Sequence, residues 1–338
     1  MNDEEITTTA LRSRVESELQ IAVDAMEVAS TPELKSMLAY HMGWEGDGAG
    51  TKAQGKRIRP LIVLLSAGAA GGDWEKALPA AVAVELIHNF SLIHDDIQDN
   101  STVRHGRLTV WKKWGIPQAI NAGDLMFVLA HRALLGMKEG TSVEITMLSS
   151  QILQNTCVEL TRGQYLDMSY ESRQEVTLED YWAMVKGKTG ALIACAAELG
   201  ALASGSTQTK RSLFHQYGLS LGMAFQAWDD WLGIWGDSAL TGKSNESDLV
   251  SGKKSLPVVF GLSKGGRFAR RWLAGPIGMD EVKHLADLLT DDGAQSYTQQ
   301  FAENYLNESL AALADGSLDN EYSHQLRELT LKLLGRKN

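Results

Sequence analysis

The chain has 338 residues, 44% of them apolar, with only six prolines and a formal charge of −10 at neutral pH. Such a length can bury a substantial core, and the acidic balance argues against a nucleic-acid binder, whose footprint would be a basic face. Two cysteines, Cys157 and Cys195, lie at no metal-binding spacing, so neither a disulfide framework nor a zinc site is expected and a reducing cytoplasm fits.

The chain opens on Asp3, Glu4 and Glu5 rather than a basic patch and an apolar run, so secretion is not expected. Apolar residues then recur at helical spacing, with Ala, Leu, Glu and Gln between them, and no strand-like alternation competes. The expectation is an all-α fold, a single domain over residues 1–338 built as one large helical bundle. Helices are predicted at 8–40, 59–70, 76–100, 117–137, 142–170, 177–186, 189–205, 208–236, 256–262 and 279–315. No stretch has the roughly 18 uninterrupted apolar residues of a membrane span. Segments 42–55 and 237–255 are rich in Gly, Ser and charge and read as loops, the second as a lid.

Two acidic motifs stand out. On the 76–100 helix His88, Asp95 and Asp99 share one stripe, and Asp95 and Asp99, one turn apart, aim two carboxylates at one point. Paired carboxylates repel, and a hard divalent cation relieves the repulsion; magnesium characteristically takes one or two carboxylates and completes its shell with phosphate. On the 208–236 helix Gln226, Asp229, Asp230, Gly233 and Asp237 also share a face. Basic clusters at Lys52–Arg59, Arg104–Lys113, Lys186–Lys188 and Lys243–Lys254 suit a small, highly charged anion. A metal-bridged diphosphate site explains both sets together.

Gly55-Lys-Arg-Ile-Arg-Pro60, the His88 helix with Asp95 to Asp99, Arg104, Lys188-Thr189, Gln226 with Asp229-Asp230, and Gly252-Lys-Lys-Ser-Leu-Pro257 resemble, in order, the motifs of the trans-prenyl diphosphate synthases. That resemblance implies long helices around a deep central cavity, with the two aspartate motifs facing across its mouth, usually in a homodimer. It implies that Asp95, Asp99 and Asp229, supported by Asp230, hold three magnesium ions on an allylic diphosphate. Arg104, Lys188 and Lys253 would grip that diphosphate and Lys243 would close over it; Lys56, Arg59 and His88 would bind isopentenyl diphosphate. Thr189 and Gln226 would turn oxygen dipoles toward a developing cation. The implied activity is condensation of an allylic prenyl diphosphate with isopentenyl diphosphate to a short trans product.

Two departures qualify the resemblance. The family's second arginine after the first motif is His105, which is largely neutral near pH 7 and offers no bidentate fork, with Arg107 nearby in sequence. The third aspartate of the second motif is Gly233. Asp-Asp-x-x-Gly-x-x-x-Asp, ending on Asp237, copies the spacing of the terpene cyclase metal motif, which with Trp228, Trp231 and Trp235 makes a class I cyclase the alternative reading. Phe90, five residues before Asp95, is where the family places a bulky block to chain growth and favours a product of twenty or fifteen carbons, although helix geometry puts Ser91 more nearly beneath Asp95.

Overall fold

The computed structural model describes residues 7–25, 31–236 and 247–335. The chain is all-α, and it packs as two compact units. One comprises Met1–Asn155, Cys195–Phe214 and Gly316–Leu326, the other Thr156–Ala194, His215–Asp315 and Arg327–Asn338.

In the first unit α1 (Thr8–Asp24) starts on Thr7, whose hydroxyl accepts from Ala10 N at 3.2 Å. The single helix expected over 8–40 does not form. A separate α2 (Pro32–His41) begins at Pro32, because proline suits a first helical turn and not an interior. α3 (Ile58–Ala69) follows Arg57, held left-handed at φ 50°, and is buried from Pro60 to Ala69. α9 (Ala191–Ala203) approaches α3 so closely that a Cβ on Gly200 would lie 2.2 Å from the Val63 carbonyl. A 3₁₀ turn, Trp74–Ala77, leads into α4 (Leu78–Gln98), which packs along α6 (Ile116–Leu135). There a Cβ on Gly123 would meet His94 Nε2 at 2.3 Å, so the glycine leaves room for the His94 ring between the two helices. The span 74–98 has the length and hydropathy to cross a membrane, but most of that apolar window is buried against protein.

Between α4 and α6 the chain forms a hairpin and a short helix that hydrophobic periodicity could not announce. Strands β1 (Val103–Arg104) and β2 (Arg107–Leu108) pair antiparallel, with Arg104 opposite Arg107, and α5 (Val110–Trp114) follows. His105 and Gly106 take φ 51° and 76°, the pair of positive values that a two-residue type I′ turn demands.

The second unit holds the later part of α7 (Val143–Ser172), α8 (Leu178–Val185), the distal part of α10 (Gln208–Trp235), α11 (Ser247–Val250), α12 (Leu256–Ser263), α13 (Arg267–Leu273), α14 (Val282–Asp291) and most of α15 (Ala294–Gly316). The expected 279–315 helix is cut at Gly293, which lies at φ 84°. α13 and α16 (Glu321–Leu333) were not foreseen. One core joins Tyr181, Met184 and Val185 to Met223, Ala227, Leu256 and Val259; a second gathers Ile234, Leu249, Phe268, Leu285 and Leu289. Full burial of a residue such as Phe268 favours folding by about 1.5–3 kcal/mol.

Candidate active site

The first unit carries the first acidic motif at the end of α4. Asp95 is half-buried and Asp99 exposed, one turn apart, the Asp99 amide donating to the Asp95 carbonyl at 2.8 Å. Asp96 is buried and turns to the hairpin. Its oxygens accept from Arg104 Nε, both at 3.0 Å, and from Nη2 at 2.9 Å, a fork that takes up much of Arg104's donor set. Burial pushes the Asp96 carboxyl up, against the pull of Arg104.

Behind this motif lies the cationic set. Arg57 is buried and paired with Glu85 on α4 at 2.9 Å and with Glu16 on α1 at 3.0 Å. Arg59 Nη1 lies 3.1 Å from His88 Nε2. Burial, helped by Arg59, Arg104, His41 and Arg57, holds His88 well below the usual imidazole range. A guanidinium only donates. The neutral His88 therefore accepts at Nε2 and carries its proton on Nδ1. Lys56 is exposed just ahead of this pair.

His105 sits in the hairpin turn with its side chain largely open to solvent, and partial desolvation together with Arg104 holds its imidazole down. Arg107 does not take up the absent arginine's position freely: its guanidinium donates to the carbonyls of Tyr40 at 2.7 Å and Asp47 at 2.9 Å, and also to that of Glu45. Phe90 packs edge-on against Phe127 of α6 and against His94, at centroid distances of 5.2 and 4.9 Å. Ser91 bonds back to the His88 carbonyl at 2.8 Å. The phenyl ring thus faces α6.

In the second unit the chain between α8 and α9 winds as a π-helix over Lys186–Gly190, a local loosening common at functional positions. It packs closely against α7: a Cβ on Gly163 would lie 2.1 Å from Lys188 N, and one on Gly187 2.6 Å from the Glu159 carbonyl. The π turn presents Lys188 and Thr189 side by side. Lys188 Nζ pairs with Asp167 of α7, and Thr189 Oγ1 donates to Gln226 Oε1 at 2.9 Å.

Gln226 then donates to Asp230 Oδ1 at 2.8 Å. Asp230 is buried and also accepts from Tyr181 Oη at 2.6 Å and Leu256 N at 2.7 Å, with Lys253 Nζ 4.0 Å away. Its oxygens are occupied by protein donors, whereas the neighbouring Asp229 is only half-buried. Burial works against the Lys253 ammonium, but Asp230, Asp248, Asp229 and Asp167 outweigh it and raise the group. Four carboxylates therefore share two lysines, Lys188 and Lys253, and the surplus negative charge suits a divalent cation.

The absence of a side chain at Gly233 has a structural partner. A Cβ there would meet Asp248 Oδ2 at 2.3 Å, so the Asp248 carboxylate fills the space beside α10. Asp237 and Lys243 lie outside the described residues, as does the first part of the expected 237–255 lid.

Among the described residues no group of three or more His, Cys, Asp or Glu side chains converges to hold a metal alone. A pair such as Asp95 and Asp99, one of them exposed, fits an ion that completes its shell with phosphate oxygens. Sequence reasoning missed Asp167, Tyr181 and Asp248. An aspartate amid the apolar turns of α7 was a usable signal; the phenol and the distant carboxylate carried none.

Residues 49–289 match the sequence profile of a family described as polyprenyl synthetase. A (2E,6E)-farnesyl diphosphate synthase of Mycobacterium bovis is 38% identical over 317 residues, covering 90% of this chain and 87% of that protein. A geranylgeranyl diphosphate synthase of Mycobacterium tuberculosis is 38% identical over 289 residues, covering 83% of this chain and 82% of its own. The crystal structure of a polyprenyl synthetase from Streptomyces coelicolor A3(2) superposes with a TM-score of 0.85 at 36% identity, covering 97% of this chain and 99% of the other.

Proposed function

We propose that this chain, which belongs to the polyprenyl synthetase family, condenses an allylic prenyl diphosphate with isopentenyl diphosphate in a magnesium-dependent reaction that yields a short trans product and releases diphosphate. Twenty carbons is the favoured length and fifteen the other; relatives of equal identity are named for each outcome.

The observation that carries the reading is the Arg59–His88 pair beside Lys56. It gives the chain a cationic set additional to the lysines of the second unit, as two diphosphate substrates require. A cyclase takes only one, and the named relatives do not favour that alternative.

Asp95, Asp99 and Asp229 would hold the magnesium ions, with Asp230 fixing the neighbourhood through Tyr181 and Gln226. Bound magnesium would neutralise the charge that develops on the departing diphosphate. Lys188 and Lys253 bind the same allylic diphosphate, joined by Arg104 through the donors that Asp96 leaves over, and Lys243 acts from the following segment. His88 offers its Nδ1 proton, and with Lys56, Arg59 and His105 receives isopentenyl diphosphate.

The allylic carbon–oxygen bond breaks, its electron pair leaving with diphosphate. The isopentenyl double bond then attacks the allylic cation, and a proton departs to the released diphosphate. Because the Thr189 hydroxyl hydrogen is committed to Gln226, its oxygen lone pairs remain available to face positive charge. Segment 237–255 closes the site to water that would quench the cation.

The chain works in the cytoplasm as a homodimer. Exposed Ile116, Ile120 and Val128 on α6, with Val143 and Met147 at the start of α7, supply an apolar surface for a second copy. Incubation with farnesyl diphosphate, isopentenyl diphosphate and magnesium, followed by mass analysis, tests the activity. The expected result is diphosphate release and a longer product; no elongation from any allylic primer rejects it.

A further inference from the structure

We infer that Arg107 is a positioning residue for the isopentenyl diphosphate subsite, clamping the 43–50 loop and the end of α2 to the hairpin that carries Arg104 and His105. The inference rests on the activity proposed above.

Arg107 spends all three guanidinium nitrogens on backbone. Nη1 donates to the Tyr40 carbonyl, Nε to that of Asp47 and Nη2 to that of Glu45, while Cζ lies 3.9 Å over the Tyr40 ring. Tyr40 closes the circuit by donating its hydroxyl to the Leu108 carbonyl at 3.0 Å. The loop is shaped to receive the side chain. Gly46 and Gly48 take φ 80° and 73°; a Cβ on Gly46 would sit 2.8 Å from Tyr40 Cδ2 and 3.3 Å from Arg107 Nη2, and one on Gly48 3.4 Å from Arg107 Cγ.

The clamp continues into the cationic set. Tyr40 and Met42 flank His41; Arg107 holds the first carbonyl, and Arg57 Nη2 holds the second at 3.1 Å. Arg57 in turn bonds Glu85 of α4, three residues before His88. The hairpin is thereby tied to α4 twice, once through Arg104 to Asp96 and once through Arg107, residues 40–42, Arg57 and Glu85. Without Arg107 the hairpin keeps the Arg104–Asp96 fork and the Tyr40 bond to Leu108 but loses its hold on the 43–50 loop, so its turn is freer to shift. Position matters here because His105 has no fork of its own to search for an anion.

Steady-state kinetics with each substrate varied in turn test the clamp. Arg107→Ala should raise KM for isopentenyl diphosphate by about ten-fold, while kcat and KM for the allylic primer stay within about two-fold. Arg107→Lys should behave like alanine, because one ammonium cannot span three carbonyls. If lysine restores KM, charge rather than position is at work and the inference is overturned; equal rises in both KM values, or an unchanged KM, also overturn it. Should Arg107→Ala not fold, Gly46→Val, which presses on Tyr40 and Arg107 from the loop side, must give the same selective rise or the inference fails. Wild-type protein that elongates no primer removes the underlying activity instead, and is told apart by that control.

Discussion

The hydroxyl of Tyr181 lies 2.6 Å from Asp230 Oδ2, and the Leu256 amide reaches the same oxygen at 2.7 Å. Asp229 and Asp230 are adjacent in sequence, yet one is half-buried and the other is enclosed by the donors that join α8, α10 and α12. Asp229→Ala should cut turnover by at least about a hundred-fold, the scale of losing a charge-stabilising group, while leaving the helical circular dichroism and melting temperature nearly intact. Asp230→Ala should unfold more easily by about 3–5 kcal/mol in urea, as expected when one partner of a buried charged network is removed. Equal effects of the two on stability would contradict the division of labour.

Arg57 offers a second stability test. Its guanidinium is buried between Glu16 and Glu85 and also holds the Met42 carbonyl. Arg57→Met should cost about 3–5 kcal/mol, read as a shift in the urea midpoint. Adding Glu85→Gln should recover part of it, because the second change removes the stranded charge.

Acid should destabilise the chain before its carboxylates are protonated. Burial, assisted by Arg104, Arg57, His105 and Arg107, lowers the His41 imidazole to about 3, and His88 is lowered well below its ordinary value. The unfolded chain takes these protons near pH 6.5, but the folded chain refuses them until far lower pH. Their contribution is therefore fully present above about pH 6.5 and is lost as pH falls toward 3. Replacing His41 by Gln should make the dependence of stability on pH shallower by about 1.4 kcal/mol per unit between pH 6 and 4. Urea titrations at several pH values would show it, and an unchanged slope would refute it.

Product length should depend on Phe90 and on the ring that braces it. Phe90 and Phe127 meet at 5.2 Å with their planes 61° apart, and Phe127 continues to His131 at 4.7 Å. Phe90→Ala should lengthen the product by one or more five-carbon units, and Phe127→Ala should do so to a smaller extent by freeing the Phe90 ring. Mass spectra of the extracted products would reveal either shift; a Phe90→Ala enzyme with the wild-type product would remove Phe90 from length control.

Much of this protein was legible in its sequence. The 3.6-residue rhythm of apolar side chains gave α3, α4, α6, α7 and α10 nearly to their ends, and Asp95, Asp99, Asp229 and Gln226 could be singled out because their residue types at helical spacing fit one chemistry, whereas Lys188 and Thr189 entered through the family resemblance. Such signals are local: they depend on neighbours within a turn or two, which the order of residues states directly. Only the tertiary structure decided which of two adjacent aspartates is enclosed, that Arg107 is bound to three carbonyls of a distant loop, and that the Asp248 carboxylate fills the space beside Gly233. Burial and long-range hydrogen bonding are properties of the packed chain, and two residues far apart in sequence carry no mark of the contact until the backbone between them has folded.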